Sequence, residues 1–219
     1  MKIDTRYSNQ RVGIFVDVQN LYHSAKNLYR GRVNYAELKK YLVGDRQLIR
    51  AMAYVVKSEG VEPQHFGPRS AAMERRSTIA PEEGEEYARL PLRTARTTRT
   101  AEENGELSSE GAFFEALTKA GFELRMKDLQ IYAGGMKKAD WDVGMAVDAI
   151  RMASFLDVVI LVTGDGDFLP LVDYLKWGAG RLVEVAAFRR SASSKIQEAA
   201  DRFINIEEIP RAIMKSRVT

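Results

Sequence analysis

The sequence predicts an α/β fold: a doubly wound, mainly parallel sheet flanked by helices, with a long polar insertion after the second strand. Three observations carry this. Strand-like and helix-like segments alternate along almost the whole chain. The strand-like runs are short, continuous and β-branched, as in strands covered by helices on both faces. The chain has 219 residues, 45% of them apolar, which is material for one core of ordinary size.

The elements follow in order. "RVGIFVDVQN" carries an apolar run, Val12 to Val16, that reads as a buried strand ending at Asp17. "NLYHSAKNLY" then places Leu21, Tyr22, Ala25 and Leu28 at helical spacing, with Tyr22 read as core-facing. "NYAELKKYLVG" is a second helix, with Asn34 as N-cap, Glu37 three residues on and Gly44 as its stop. "LIRAMAYVVK" is the second strand, "AFFEALTKA" a short helix closed by Gly121, and "FELRMKDLQIYAG" the third strand. "DWDVGMAVDAIRMASF" is a helix of about four turns, started by Asp140 as its cap. "DVVILVTG" is the fourth strand, and "FLPLVDYLKWGAG" a helix that tolerates Pro170 only in its first turn. "RLVEVAAF" is the fifth strand, "SSKIQEAADRFI" a further helix, and Ile209 to Arg217 a short charged helix. The two tryptophans, Trp141 and Trp177, read as packing residues.

The domain is expected over 11–206, with 207–219 as a charged helix or tail. The alternation dissolves between 59 and 109, which is rich in Glu, Arg, Thr and Pro. A connection of that length is an insertion rather than an ordinary loop. Within it, "RLPLRTARTTR" has the composition of a basic extended strand or hairpin.

Composition excludes several classes. There is no cysteine, so disulfides, thiolate metal sites and cysteine nucleophiles are ruled out. With two histidines, His23 and His65, a His-rich zinc site is disfavoured. The formal charge of +3 permits nucleic-acid binding without arguing for it. "MKIDTRYSNQ" has no signal-peptide apolar region, and no apolar run approaches the ~20 residues that span a bilayer. A cytoplasmic protein without membrane contact is the expectation.

In an open parallel sheet, ligands bind at the edge formed by the carboxyl ends of the strands. Asp17 ends the first strand there, and Asp165 and Asp167 follow the fourth. Asp142 lies in the first turn of the helix after the third strand and points to the same edge. Asp148, six residues on, is about 9 Å further down the axis and rotated about 120°, which suits an indirect role. Each acid also has a plain reading. Asp17 can cap the next helix, "GDGD" can be an Asx turn capped by Asp167, and Asp148 can pair with Arg151 or a neighbouring loop. Four acids at one edge, however, repel unless a cation lies between them. Hard oxygen donors without His or Cys suit Mg²⁺ or Mn²⁺.

Competing carboxylate motifs lack residues they require, though a phosphatase-type nucleophile at Asp17 stays open. A calcium loop starting at Asp165 would place Leu169 and Lys176 at ligand positions. A phosphatase-type aspartate pair at Asp17 would put its second acid at Gln19. No glycine-rich phosphate loop follows a strand.

"GIFVDVQNLYHSAK", "KKADWDVGMAVDAI", "VILVTGDGDFLPLVDYLKWGAG" and "EAADRFINI" resemble the successive signature blocks of NYN domains, nearest to the LabA-like branch of the PIN-like nuclease superfamily. The resemblance implies a metal-dependent ribonuclease, with Mg²⁺ or Mn²⁺ as cofactor and single-stranded or structured RNA as partner. Carried over by position, Asp17, Asp142, Asp165 and Asp167 would be the catalytic and metal-holding acids. Asn20, Asp148 and Thr163 would orient ligands or phosphate. Lys137, Lys138, Arg189 and Arg190 are the basic residues at the same edge and the candidates for RNA contact, and Tyr22 and His23, after the first aspartate block, are candidates to stack on a base against the core-facing reading of Tyr22. A non-catalytic RNA- or protein-binding regulator on the same fold is the alternative, and homo-oligomer formation stays open.

Overall fold

The computed structural model describes residues 7–57, 109–128, 130–131, 137–138 and 141–215. The chain divides into two units, Met1–Val61 with Ser108–Thr219, and Glu62–Leu107. The second unit lies outside the described residues, and so does the expected basic hairpin over 89–99.

The first unit begins with β1 (Arg11–Asp17), α1 (Val18–Tyr29), β2 (Gly31–Val33), α2 (Tyr35–Val43) and β3 (Gln47–Lys57). After the second unit come α3 (Ser109–Lys119), β4 (Glu123–Asp128), the short pair β5 (Gln130–Ile131) and β6 (Lys137–Lys138), and α4 (Asp142–Met152). The chain continues through β7 (Val158–Val162), α5 (Leu169–Asp173), β8 (Leu182–Ala187), α6 (Ser194–Ala199), β9 (Arg202–Asn205) and β10 (Ile213–Lys215).

Six strands form one sheet in the order β4-β3-β1-β7-β8-β9, with every neighbouring pair parallel. The chain builds outward from β1 to β3 and β4, then returns and builds outward the other way from β7. The order therefore reverses between β1 and β7, and parallel sheets open a crevice at such a reversal beyond the strands' carboxyl ends.

Side chains alternate across each strand, so one register fixes two cores. Val12, Ile14 and Val16 of β1, with Val158, Ile160 and Val162 of β7, face α1, α2 and α3 through Leu21, Leu38 and Leu117. Phe15, Met52, Tyr54, Val159 and Leu161 face the opposite way and pack against Met145 and Ala149 of α4, Leu171 and Val172 of α5 and Ile196 of α6. Because helices cover both faces, β7 is buried along its whole length, which is why it reads as an uninterrupted apolar run. At the amino edge, Arg46 and Glu184 form an almost fully buried ion pair, with contacts of 3.0 Å from both terminal guanidinium nitrogens. Arg46 also donates to the carbonyls of Leu42 and Val43.

Three expectations need correction. The helix expected over 193–204 ends at Ala199, and Arg202–Asn205 is a sixth parallel strand. No helix forms at 209–215; Ile213–Lys215 pairs antiparallel with Gly31–Val33, both strands being too short to show periodicity. Trp177 sits in a wider π-type turn after α5 and is 82% exposed rather than packed. Trp141 does pack: its indole donates to the Val55 carbonyl at 2.8 Å and meets Tyr54 edge-on. No helix among the described residues is long and apolar enough to cross a membrane.

Candidate functional site

The site lies where the sheet order reverses. Asp17 is both the last residue of β1 and the N-cap of α1, and its carboxylate accepts from the Asn20 backbone N–H at 3.0 Å. A short polar side chain with extended backbone is what a strand-to-helix turn needs at this position. Across the crevice, Thr163 follows β7 and is fully buried. Its hydroxyl donates to Asp17 Oδ2 at 3.3 Å and accepts the Asp165 backbone N–H at 3.2 Å. The Asn20 side chain closes the loop by accepting the Gly164 N–H at 3.0 Å. Asp17, Asn20, Thr163, Gly164 and Asp165 thus form one bonded circuit between two strand ends.

Asp165 caps the short 3₁₀ turn Gly166–Phe168, with Oδ1 accepting the Asp167 N–H at 2.9 Å. The "GDGD" motif is therefore an Asx turn, but its capping residue is Asp165 and not Asp167. Asp167 stands exposed on the turn. Gly164 allows the turn to approach the loop after β8. A Cβ on Gly164 would lie 3.0 Å from the Ala192 Cα, while its carbonyl accepts from Ser193 at 2.9 Å.

Burial pushes the Asp17 carboxyl above its ordinary range, and the Asp165 charge adds to this. The N–H groups of Asn20 and Gln19 and the Thr163 hydroxyl oppose the shift. Neither Asp17 nor Asp165 is ion-paired with a Lys or Arg among the described residues. Two neighbouring carboxylates without a counter-charge fit a small divalent ion, which Mg²⁺ sites commonly bind through one or two carboxylates with water and substrate phosphate completing the shell. They do not amount to a ready-made cage. Among the described residues, no three His, Asp or Glu side chains are gathered closely enough to hold one ion.

Asp142 opens α4, which packs against β1 and the Gly166–Phe168 turn. It shares the edge without joining a three-carboxylate group with Asp17 and Asp165. The cap position before it is Trp141, which supplies no side-chain capping bond; Asp140 lies outside the described residues. Among the described residues, Asp148 pairs with neither Arg151 nor a loop. Its Oδ2 accepts from Tyr54 Oη at 3.1 Å and meets Arg125 Nε at 3.2 Å. Tyr54 is the register partner of Asp17 on β3, so Asp148 is one strand removed from the acid pair. The side chains of Lys137 and Lys138 lie outside the described residues.

Arg189 and Arg190 follow β8 at the same edge, both exposed. The Arg189 guanidinium lies 5.2 Å from the centre of the Phe203 ring, and its backbone N–H donates to Asn205. Sequence reasoning misread one neighbour. Tyr22 points outward from α1 and is 46% exposed, because Leu21 and Ala25 take the buried stripe. The signal was the wide step between Leu21 and Tyr22, about 100° around the helix.

A family comparison matches residues 82–207 to the NYN domain, more than half of the chain. The match includes Asp142, Asp148, Thr163, Asp165 and Asp167, and begins after Asp17 and Asn20. No curated protein matches the chain. Among solved structures it is similar to a protein of unknown function from Vibrio parahaemolyticus, with a TM-score of 0.68 and 24% identity. That similarity covers 96% of this chain and 99% of the other, and at this identity it shows the fold alone. The mainly parallel, helix-flanked sheet agrees with a PIN-like architecture. The chain belongs to the NYN domain family, within the PIN-like nuclease superfamily.

Proposed function

We propose that this chain is a LabA-like ribonuclease that hydrolyses RNA phosphodiester bonds at the Asp17–Asp165 edge with Mg²⁺ or Mn²⁺. The observation that carries the reading is the circuit from Asp17 through Thr163 to Asp165. It joins two carboxylates without a counter-charge among the described residues at the sheet reversal, and the Asp17 pKa is raised by burial first and then by the Asp165 charge. A bound divalent ion would activate water and neutralise charge on the scissile phosphate. Asp17 and Asp165 would hold it. Asp142 and Asp167 would act through water or at a second ion. Thr163 and Asn20 keep the two carboxylates at a fixed separation, and Asp148 anchors Tyr54 beside them. Arg189 and Arg190, with Lys137 and Lys138, would contact phosphates of the RNA strand.

The test is cleavage of single-stranded and structured RNA with Mg²⁺, Mn²⁺ or EDTA, comparing wild type with Asp17→Asn and Asp165→Asn. Cleavage that needs the metal and is lost in both variants supports the reading. Activity that is absent, or that survives both substitutions, overturns it. The lack of a preassembled three-carboxylate group among the described residues favours one second reading, a regulator that binds RNA or protein without turnover. RNA binding that persists without metal or cleavage would establish it.

A further inference from the structure

We propose that the outer face of α1 is a base-stacking subsite for single-stranded RNA, with the Tyr22 ring as its platform. This rests on the ribonuclease reading of the Asp17–Asp165 edge and adds to it the place where a neighbouring nucleotide is held.

The placement follows from helix geometry. Asp17 caps α1, and Gln19, Tyr22, His23 and Lys26 all point outward on that helix. Their spacing of three and four residues makes one stripe. Tyr22 is five residues beyond Asp17, about 7 Å along the axis. That is comparable to one step between successive phosphates in an extended strand. A strand with a phosphate at Asp17 would have its next base within reach of this stripe.

The chemistry fits a base. Tyr22 presents nearly half its surface. Its ring is met edge-on by His23 at 5.5 Å between centroids, and Lys26 Nζ lies 5.6 Å from its centre. An exposed aromatic ring flanked by a cation is how sequence-tolerant single-strand binders hold bases and their phosphates. Tyr22 and His23 also form one wall of a groove of about 920 Å³ that runs from α1 past the antiparallel β2–β10 pair to α3. Asp17 and Asp165 are not among its walls; Val18 and Gln19, the residues after Asp17, join it to the acid edge.

The charges described along the groove lean positive and so favour an anionic strand. Arg32 and Lys119 line the groove, against Glu110 as the one acidic side chain of the lining among the described residues. Lys119 is partly neutralised by Glu115 at 2.8 Å, whereas Arg32 makes no ion pair among the described residues. An apolar peptide would have no use for Lys26 beside the ring or for Arg32 in the groove. A duplex would not offer an unstacked base to Tyr22.

The test uses the full chain in EDTA and a short single-stranded RNA containing 2-aminopurine, whose fluorescence is quenched on stacking. Quenching on binding is expected for wild type and Tyr22→Phe. Tyr22→Ala is expected to lose the quenching and to bind about tenfold more weakly. Thermal melts should show that the exposed substitution leaves the fold intact. Equal quenching and affinity in Tyr22→Ala, or competition by duplex RNA as strong as by single strands, would overturn the subsite. Cleavage with Mn²⁺ separates the two readings. Cleavage indifferent to Tyr22 removes the subsite and leaves the hydrolase. Tyr22-dependent quenching by a chain that never cleaves removes the hydrolase and leaves the subsite.

Discussion

The Thr163 hydroxyl donates to Asp17 Oδ2 at 3.3 Å, joining the carboxyl ends of β1 and β7 across 146 positions of sequence. The same oxygen accepts the Asp165 N–H, so one buried hydroxyl sets the position of both acids. Parallel pairing of β1 with β7 brings the two strand ends level, since Val16 is the register partner of Val162. The site is thus a product of sheet register before it is a product of loop conformation.

Removing that hydroxyl should loosen both acids at once. Thr163→Val keeps the volume but takes from Asp17 its one side-chain donor among the described residues, leaving it the Asn20 N–H, and leaves the Asp165 N–H without an acceptor. A loss of about 1–3 kcal/mol in urea unfolding is expected. Thr163→Ser, which keeps the oxygen, should recover most of it. Equal stability of the valine and serine variants would show that the hydroxyl does not support the circuit.

Asp17→Asn should stabilise the metal-free protein. Burial and the Asp165 charge raise the Asp17 pKa in the folded state. The native chain therefore holds this proton to higher pH than the unfolded one, and stability falls as pH rises from the ordinary value of 3.8 through the raised one. Asparagine caps helices as well as aspartate does and carries no charge. In EDTA at neutral pH a gain of about 0.5–2 kcal/mol is expected. Mn²⁺ should raise the melting temperature of wild type and leave the variant unmoved. A variant less stable than wild type in EDTA would contradict the assigned strain.

The acid pair was legible because β1 and β7 are continuous apolar runs with one polar terminus each. Their parallel pairing then follows from the alternation of elements. The role of Asp165 as the turn's cap was not legible, since "GDGD" offers two aspartates and only backbone dihedrals choose between them. Asp148 was placed correctly on its helix but given the wrong partner. Arg125 lies on β4, and no local spacing announces a contact between α4 and an edge strand. β9 was lost to the helix before it because four residues, Arg202–Asn205, are too few to show a period of two. Tyr22 was assigned inward because it is aromatic and falls within a helical apolar pattern. The buried stripe needed only Leu21 and Ala25, and left the ring outside.

At the amino edge, acid should weaken a second contact. Arg11 grips Asp157 through Nη2 at 2.8 Å, Nε at 3.1 Å and its own backbone N–H at 2.8 Å. These bonds hold the Asp157 carboxyl at about 2, below its usual 3.8. A depressed carboxylate stabilises the fold above its unfolded pKa and loses that contribution as pH falls through the folded one. The contribution should therefore fade between 3.8 and about 2. The pair is partly exposed, so solvent screening keeps the effect small. Asp157→Asn should lower stability at neutral pH and flatten the stability–pH curve in that window. A curve parallel to wild type would show that Asp157 is not responsible.

The buried Arg46–Glu184 pair makes the sharpest stability prediction. Both side chains are 2% exposed, and the two terminal guanidinium nitrogens meet the two carboxylate oxygens at 3.0 Å. Glu184 sits on β8 with Arg202 of β9 nearby at 3.9 Å, so it balances more than one cation. Glu184→Gln leaves Arg46 charged and without its counter-ion in the interior. A loss of about 3–5 kcal/mol is expected for breaking such a pair from one side. Replacing both partners, with Arg46→Met and Glu184→Leu together, removes the desolvation cost along with the attraction and should recover much of that loss. The leucine leaves Arg202 less balanced, and the methionine leaves the carbonyls of Leu42 and Val43 without their side-chain donors, so the double variant should stay somewhat below wild type. Denaturant unfolding of both variants distinguishes the cases. A double variant as unstable as Glu184→Gln would mean that the carbonyl contacts of Arg46, and not its pairing with Glu184, hold this end of the sheet.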